Sequence, residues 1–445
     1  MKQHPRYCDG MIRRDFLRIG ATSLLGMRFG LTDLLAQQAR AANKGAATRD
    51  VSLIFIFLKG GMSTIDTFDL KPDAPSDIRG EFKSIATCIP GVRISEHLPK
   101  IARDFDKLSI IRSFTHHNSD HGPADHYMLT GYFPTAGFNP NLRPNNQHPS
   151  FGSVIAQKLG PRGSAPPYVC LPMMHASAGS AFLGPAAVPF VIEADPSAAG
   201  FSVPDLAPPM VLNAERLSAR RELLTQVDQY QRQAEATANH AARTVSVFGQ
   251  KAFALMTSAD ARKAFDIAAE PGKLRDAYGR HTLGQSCLMA RRLVEAGVRC
   301  ITIEHSNWDT HNDNFNVLKN QLLPKFDEAI ATLFRDLSDR GMLESTLVIV
   351  SGEFGRTPRI NKDAGRDHWG KCFTVVMGGG GIQGGRVVGK SDAWAQEPAE
   401  NPYGPEDLAT TLYHSLSINA TEELRTPEGR PVAITKGGRI IKELV

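Results

Sequence analysis

The sequence predicts an α/β domain with a central, mostly parallel sheet and helices on both faces. Two short apolar runs, Val51 to Leu58 and Leu347 to Val350, have the continuous hydrophobic pattern of strands buried on both faces. Segments with helical spacing separate such runs, and this alternation indicates a parallel sheet with right-handed crossovers. Metal-binding residue types follow the predicted strands directly, which is where open α/β sheets hold ligands.

The composition is that of a globular protein and argues against nucleic-acid binding. Of the 445 residues, 42% are hydrophobic and 22% are charged, and the net charge is +5. Lysine and arginine are spread along the chain rather than gathered into a basic stripe, so we expect no nucleic-acid partner. The 6 cysteines form no CxxC motif, and the five that remain after the N-terminal segment is excluded allow at most two disulfide bonds.

The N-terminal segment is typical of a twin-arginine (Tat) export signal. Arg13 and Arg14 form the arginine pair, Ile19 to Leu35 is modestly apolar, and Ala39 to Ala41 resembles a cleavage site. Charges within the apolar stretch make it too polar for a membrane span. We therefore expect residues 1–41 to engage the Tat export machinery and the mature chain, 42–445, to form a single domain without a membrane span. Its location would be periplasmic or extracellular.

The end of the first predicted strand carries glycines and polar residues. Lys59-Gly60-Gly61 follows the strand directly, and glycines at such a point let the backbone approach a ligand. Ser63, Asp66 and Asp69 would lie at the same edge of the sheet.

A histidine-rich segment follows the next predicted strand, Leu108 to Ile111. Neutral imidazole and carboxylate are the groups that Zn²⁺ and similar divalent ions bind, and this segment is dense in both. Pro123 fits the first turn of a helix that would end near Gly131. The metal-binding types in the segment are His116, His117, Asp120, His121, Asp125 and His126.

Two regions in the middle of the chain carry no recognisable site motif. Residues 132–215 are rich in proline, glycine, asparagine and alanine, and they predict long loops with short strands such as Pro167 to Leu171. Residues 214–270 carry glutamate, arginine, glutamine and alanine at helical spacing, which predicts a helical insertion.

Two more predicted strand ends in the C-terminal half carry candidate ligands. A strand from Gly297 to Ile303, preceded by a helix ending near Ala296, leads into the first group. A helix from about Leu318 to Arg340 leads back to the strand at Leu347, and a further apolar run, Phe373 to Met377, follows the second group. Because four separate strand ends offer Asp or His, a metal site is a better explanation than solvated loops. The candidates are Asp309, His311, Asp313, Glu353 and His368.

These motifs resemble those of the alkaline phosphatase-like superfamily, which includes phosphatases and sulfatases. The segment Trp308 to Asp313 is similar to its Asp and His ligand loop, Thr346 to Gly355 to its strand ending in a ligating Asp-His-Gly, and Asp367-His368 to its last metal histidine. His121 to Pro134 partly resembles the sulfatase signature. The mature chain after residue 45 is most similar to the Tat-exported "domain of unknown function 1501" family, a sulfatase-like branch.

The chain also departs from the superfamily pattern. His121 stands where a sulfatase has its modified Cys or Ser, and Lys59-Gly60 stands where the superfamily has a metal-binding Asp. Glu353-Phe354 replaces Asp-His, and Asp125 replaces the sulfatase Arg. Formylglycine chemistry is therefore not expected. His121 would then be a metal ligand or a nucleophile, or Ser119 or Ser63 would attack, or the reaction would have no covalent step.

From these observations the sequence predicts an exported, metal-dependent hydrolase of phosphate or sulfate esters. The substrate would be a small-molecule or polysaccharide ester, and the cofactor one or two ions of Zn, Mn or Ca. The alternative is an exported binding or assembly protein that keeps a hydrolase fold with an altered site. The predicted catalytic residues are His121, His126, Ser119 and Arg356, and the predicted metal ligands are Asp66, His121, Asp309, His311, Asp313, Glu353 and His368.

Overall fold

An eight-stranded sheet forms the centre of the protein. The computed structural model describes residues 50–203 and 263–445, so the predicted export segment and most of the predicted helical insertion lie outside the described residues. The strands are β1 (Ser52–Leu58), β2 (Ser84–Ala86), β3 (Arg93–Ser95), β4 (Ser109–Phe114), β5 (Tyr168–Leu171), β6 (Phe190–Val191), β7 (Cys300–His305), β8 (Thr346–Ser351), β9 (Gly355–Arg356), β10 (His368–Trp369), β11 (Phe373–Gly378), β12 (Val387–Val388), β13 (Lys390–Ser391), β14 (Pro398–Glu400), β15 (Glu423–Arg425) and β16 (Pro431–Ala433).

The α-helices of the described residues flank this sheet. They are α1 (Ser76–Arg79), α2 (Pro99–Arg103), α3 (His121–Thr130), α4 (Phe151–Leu159), α5 (Gly272–Tyr278), α6 (Thr282–Glu295), α7 (Asn314–Val317), α8 (Leu323–Asp339) and α9 (Pro405–Ser415). A π-helical turn, Leu318–Leu322, joins α7 to α8.

The central sheet is parallel except for one strand. Its order is β12-β4-β11-β8-β1-β7-β5-β6, and β11 runs antiparallel to both of its neighbours. The remaining neighbours pair in parallel. The α/β class with a mostly parallel sheet is therefore confirmed.

Both faces of the sheet are covered, because the side chains of a strand alternate between the faces. In β1, Ile54 and Ile56 join an apolar core with residues of α6 and α8. Phe55 and Phe57 join a second core on the opposite face, with residues of α3, α4 and α9. Burial on both faces explains why β1 reads as a continuous apolar run rather than an alternating one.

Helix α4 corrects the expectation for residues 132–215. The prediction of loops with short strands was right for β5 but wrong for Phe151–Leu159, which is helical. The Ser150 side chain caps this helix by accepting the backbone N–H of Ser153 at 3.3 Å. Phe151, Val154 and Ile155 are buried at helical spacing. The surrounding proline and glycine residues masked this short local signal in the sequence.

The strand registers bring several loops to one edge of the sheet. Strand β1 lies between β7 and β8, with Leu58 opposite His305 and Phe57 opposite Ser351. The segments after β1, β7 and β8 therefore leave the sheet at the same level, as expected for parallel neighbours.

The cysteines and the hydrophobicity of the helices are two further features of the fold. The described cysteines, Cys88, Cys170, Cys287, Cys300 and Cys372, are all free thiols, so none of the permitted disulfide bonds forms among them. Within the described residues, no helix has the length and apolar character needed to cross a membrane.

Candidate metal centre

Five segments bring side chains or backbone groups to the carboxyl edge of the sheet. The loop after β7 supplies Asp309 and His311, the end of β8 supplies Glu353, and β10 supplies His368. His121 is the first residue of α3, and Gly60 lies just beyond β1. The ends of β1, β7 and β8 lie at the same level of the sheet, and this accounts for the positions of Gly60, Asp309, His311 and Glu353.

The Asp309 carboxylate is the centre of this group. The Nε2 atom of His121 lies 3.1 Å from Asp309 Oδ2, and the Nε2 atoms of His311 and His368 lie 3.1 and 3.0 Å from Oδ1. The Nε2 atoms of His311 and His368 are themselves only 2.9 Å apart. Three ring nitrogens therefore converge on one carboxylate.

The partners of the three Nδ1 atoms show where the proton of each neutral histidine ring lies. His368 Nδ1 lies 2.8 Å from the carbonyl oxygen of Ser119, which can only accept, so Nδ1 carries the proton. His311 Nδ1 likewise donates to the Asp367 carboxylate at 2.7 Å, and His121 Nδ1 to Glu353 Oε1 at 2.6 Å. In the neutral ring each Nε2 is then an unprotonated acceptor.

A set of facing acceptors of this kind needs a cation. Two neutral imidazole nitrogens 2.9 Å apart repel each other, and a shared carboxylate oxygen adds to that repulsion. A metal ion removes the conflict, and ligating histidines usually donate their other N–H to a carboxylate or a backbone carbonyl, as all three rings do. His121, Asp309 and His368 offer ligand atoms that lie within 4.8 Å of one another. The donor set therefore fits a divalent metal ion.

Glu353 is the buried member of the group. Its carboxylate accepts the backbone N–H of Gly60 through both oxygens, at 2.9 and 3.1 Å. Its carbonyl oxygen accepts from His116 Nε2 at 2.6 Å, which fixes the backbone there. Burial, together with the negative charge of Asp125, raises the pKa of Glu353. Glu353 is thus poised to share a proton with His121.

The charges of the group shift the pKa values of its members in opposite directions. When no metal ion is bound, hydrogen bonds to Asp309 and Glu353 raise the pKa of His121 to about 9, because a proton on its Nε2 then faces Asp309 in place of the metal ion. Burial acts to raise the pKa of Asp309, but its contacts with His121 and His368 and the charge of Arg356 hold that pKa well below its usual range. Asp309 is therefore ionised, which is the state that binds a metal ion.

The profile of a family described as "Protein of unknown function (DUF1501)" matches residues 50–445. The chain belongs to the DUF1501 family. The resemblance expected from the sequence is thereby confirmed. None of the curated proteins compared with the sequence matches it.

This DUF1501 protein is also similar to several solved structures. A protein in the alkaline phosphatase superfamily from Vibrio parahaemolyticus matches with 9% identity and a TM-score of 0.42, covering 84% of this chain and 68% of that one. A sulfatase from Pseudoalteromonas sp. matches with 12% identity and a TM-score of 0.36, covering 86% and 70%. A phosphonate monoester hydrolase from Silicibacter pomeroyi matches with 11% identity and a TM-score of 0.33, covering 88% and 76%. Likenesses at these values assign no activity to the chain.

Several residues that the sequence suggested as ligands or catalysts lie in other contacts of the DUF1501 domain. Asp66 is fully buried, where it accepts from Arg366, Ser63 and Asn314 rather than facing His121. Asp313 accepts from the Asn316 side chain at 2.8 Å and is exposed.

His126 and Ser119 have supporting contacts. His126 Nδ1 lies 2.9 Å from the carbonyl oxygen of Tyr132, and its Nε2 accepts the backbone N–H of Gln147 at 3.1 Å. Both of its ring nitrogens are therefore in use away from Asp309. The Ser119 carbonyl orients His368, and its hydroxyl accepts the N–H of Gly370 at 3.2 Å.

Arg356 is buried beside the metal-binding group rather than open to solvent. Its guanidinium donates to Asp309, to the carbonyl oxygen of Gly61 at 3.1 Å and to that of Arg366 at 3.2 Å. It therefore fixes Asp309 and the glycine turn after β1.

The sequence reasoning did not identify the supporting contacts of His116 and Asp367. In the sequence, His116 is one of several histidines in its segment, and Asp367 is only the neighbour of His368. Each side chain contacts a partner more than fifty positions away in the chain, since His116 reaches Glu353 and Asp367 reaches His311. Without the register of the sheet, spacing along the sequence gives no signal for such contacts.

Proposed function

We propose that this protein is an exported, metal-dependent hydrolase of phosphate or sulfate esters. One observation supports the proposal more than any other. Three histidine Nε2 atoms converge on Asp309, while each Nδ1 atom donates to a separate acceptor. The resemblance of the sequence motifs to phosphatases and sulfatases supplies the reaction class.

The donor set favours Zn²⁺ or Mn²⁺ over Ca²⁺ as the bound ion. His121, His311, His368 and Asp309 would hold it, and imidazole is a good ligand for Zn²⁺, whereas Ca²⁺ takes six to eight oxygen ligands. When bound, such an ion polarises an ester oxygen and lowers the pKa of a water molecule. Glu353 would stay outside this set and act through His121.

The protein's own residues would orient the ligands and move a proton. Arg356 holds Asp309, Asp367 holds His311, and the Ser119 carbonyl holds His368. The short contact between His121 Nδ1 and Glu353 Oε1, 2.6 Å, makes this pair the best candidate for storing a proton.

Among the attacking groups left open by the sequence, the two serines are the weakest. The Ser63 hydroxyl donates to the buried Asp66 carboxylate at 2.6 Å, and the Ser119 hydroxyl is an acceptor for Gly370. We therefore assign His121 as a ligand in the resting site and expect no covalent serine intermediate.

Metal content and turnover together test the proposed function. Protein purified after native export is examined by elemental analysis and then assayed with generic phosphate and sulfate esters, with and without added Zn²⁺ or Mn²⁺. We expect bound metal and metal-dependent turnover in the wild type and in His414→Ala, an exposed-histidine control. His368→Ala should lose both. Absence of metal after reconstitution would overturn the proposal.

The second candidate is a binding or assembly protein that keeps the metal site. The commitment of the Ser63 and Ser119 hydroxyls to other partners favours it. If the protein binds stoichiometric metal but turns over no phosphate or sulfate ester, small or polymeric, the binding or assembly function would be favoured over the hydrolase.

Export by the Tat route is part of the proposal. Changing Arg13 and Arg14 together to lysine should keep the protein in the cytoplasm, because the Tat receptor reads the arginine pair. Immunoblots of cell fractions measure this. The matched control changes Arg18 to lysine, and equal export of the double variant would contradict the assignment.

A further inference from the structure

A second charged group, formed by Lys59, Asp125 and His175, lies beside the metal-binding residues. The Lys59 ammonium lies 3.3 Å from Asp125 Oδ2 and 3.3 Å from His175 Nε2. His175 Nε2 lies 3.4 Å from the same Asp125 oxygen. The carboxylate, the imidazole and the ammonium thus meet at one point.

This group is adjacent to Glu353 through two elements. Asp125 follows His121 by four positions in α3, so both side chains lie on one face of that helix. Lys59 precedes Gly60, whose N–H donates to the Glu353 carboxylate. The negative charge of Asp125 contributes to the raised pKa of Glu353, as expected of neighbouring carboxylates. Glu353 therefore contacts His121 and is close enough to Asp125 to be influenced by its charge.

The contacts of Asp125 show how its buried charge is compensated. The backbone N–H of Ser177 donates to His175 Nδ1 at 3.0 Å, so the neutral ring carries its proton on Nε2, facing Asp125. Asp125 Oδ1 is buried and accepts no hydrogen bond in the described part of the chain. The Lys59 ammonium is the positive charge that compensates this buried carboxylate.

Exposure distinguishes the lysine from its two partners. The side chains of Asp125 and His175 are 4% and 1% exposed, whereas that of Lys59 is 36% exposed. The ammonium is thus held from one side and open on the other. A purely structural ion pair does not need that open side, but a group that binds an anion does.

We propose that Lys59 takes the place of a second metal ion, so that the site holds one divalent ion and binds the anionic part of the ester with the Lys59 ammonium. The charges of the surrounding side chains support a single divalent ion. Four carboxylates, Asp125, Asp309, Glu353 and Asp367, face two fixed cations, Lys59 and Arg356. With neutral histidines, one divalent ion balances these charges, whereas a second ion would leave an excess of two positive charges. This inference depends on the proposed function.

The test counts metal ions and measures anion affinity on the full mature chain. Wild type, Lys59→Met, Lys59→Arg and the control Lys325→Met, which changes an exposed lysine of α8, are loaded with Zn²⁺, desalted and examined by elemental analysis. Binding of inorganic phosphate and of sulfate is then measured by calorimetry at pH 7.

We expect one equivalent of metal in every protein and anion affinity at least tenfold weaker in Lys59→Met. Lys59→Arg, which keeps a positive charge, should recover most of that affinity, and Lys325→Met should match the wild type. Two equivalents in the wild type, or unchanged anion affinity in Lys59→Met, would overturn the role of Lys59. The number of metal ions bound by the wild type tests the proposal even if a variant fails to fold. No metal in the wild type would instead overturn the proposed function itself.

Discussion

At the scale of single residues, Asp367 shows how the candidate centre depends on groups that do not bind metal. Its carboxylate accepts from His311 Nδ1 at 2.7 Å and so fixes the ring that directs Nε2 toward Asp309. Asp367→Ala should weaken Zn²⁺ affinity by about 10- to 100-fold, the usual cost of losing such a contact. Competition with a chelating dye measures the affinity. The control is Asp363→Ala, an exposed carboxylate on the same loop. Equal affinities in the two variants would contradict the role of Asp367.

Gly60 is a second residue whose identity is determined by the site. Its φ is +112°, and a Cβ atom there would lie 2.3 Å from the backbone nitrogen of Asp309. Gly60→Ala should therefore destabilise the fold by about 1–3 kcal/mol and weaken metal binding, because either β1 or the Asp309 loop must move. Denaturant unfolding measures the first effect.

Gly91→Ala is the matched control for Gly60. Gly91 also has a positive φ, +80°, but nothing lies within 4 Å of its added Cβ. The loss of unfolding free energy in Gly91→Ala should come from the positive φ alone. If both variants lose the same stability and keep the same metal affinity, close approach of Gly60 to Asp309 is not a constraint.

Most residues of the candidate centre could be predicted from the sequence, because Asp, Glu and His follow the predicted strands. Asp309, His311, Glu353 and His368 were predicted because they follow apolar runs, and parallel strands end at one edge. Asp66 follows β1 in the same way, yet the structure places it against Arg366. Strand position indicates which edge a residue occupies, but the direction of its side chain depends on partners elsewhere in the chain.

At the scale of elements, the ion pair between Asp66 and Arg366 joins the segment after β1 to the loop that carries His368. Arg366 donates to both Asp66 oxygens, at 2.8 and 2.9 Å, and both side chains are fully buried. Asp66→Asn leaves a buried guanidinium without its counter-charge, which should cost about 3–5 kcal/mol of unfolding free energy. Urea titration measures the loss.

A surface pair of the same chemistry provides the control for this element. Asp77 and Arg359 form an ion pair with 46% and 69% exposed side chains. Asp77→Asn should change the stability by about 1 kcal/mol or less. If Asp66→Asn instead changed the unfolding free energy only slightly but abolished metal binding, Asp66 would be a metal ligand.

The elements that could be predicted are those with a strong local signal. β1, β8 and β11 are apolar runs with a single pattern, and α3 begins near Pro123 and ends before Gly131 as expected. The antiparallel direction of β11 between β4 and β8 has no counterpart in the sequence pattern, because a strand buried on both faces reads the same in either direction.

At the scale of the whole molecule, charged pairs on the face of the sheet covered by α6 and α8 make stability depend on pH. Glu270 contacts Arg291 at 2.8 Å and also pairs with Arg292. Burial acts to raise the pKa of Glu270, but these two arginines outweigh it and lower that pKa from its ordinary value of 4.5. Asp104, paired with Arg335, is shifted in the same direction for the same reason.

These lowered pKa values predict the direction in which acid destabilises the protein. A carboxyl group whose folded pKa is lowered contributes stability above its unfolded pKa and loses that contribution as the pH falls through the folded pKa. The urea midpoint should therefore be lower at pH 3.5 than at pH 6. Glu270→Gln should reduce this difference, since the amide cannot ionise, whereas the exposed-residue control Glu344→Gln should leave it unchanged. An equal pH dependence in wild type and Glu270→Gln would show that the arginine pairs of α6 do not link protonation to folding.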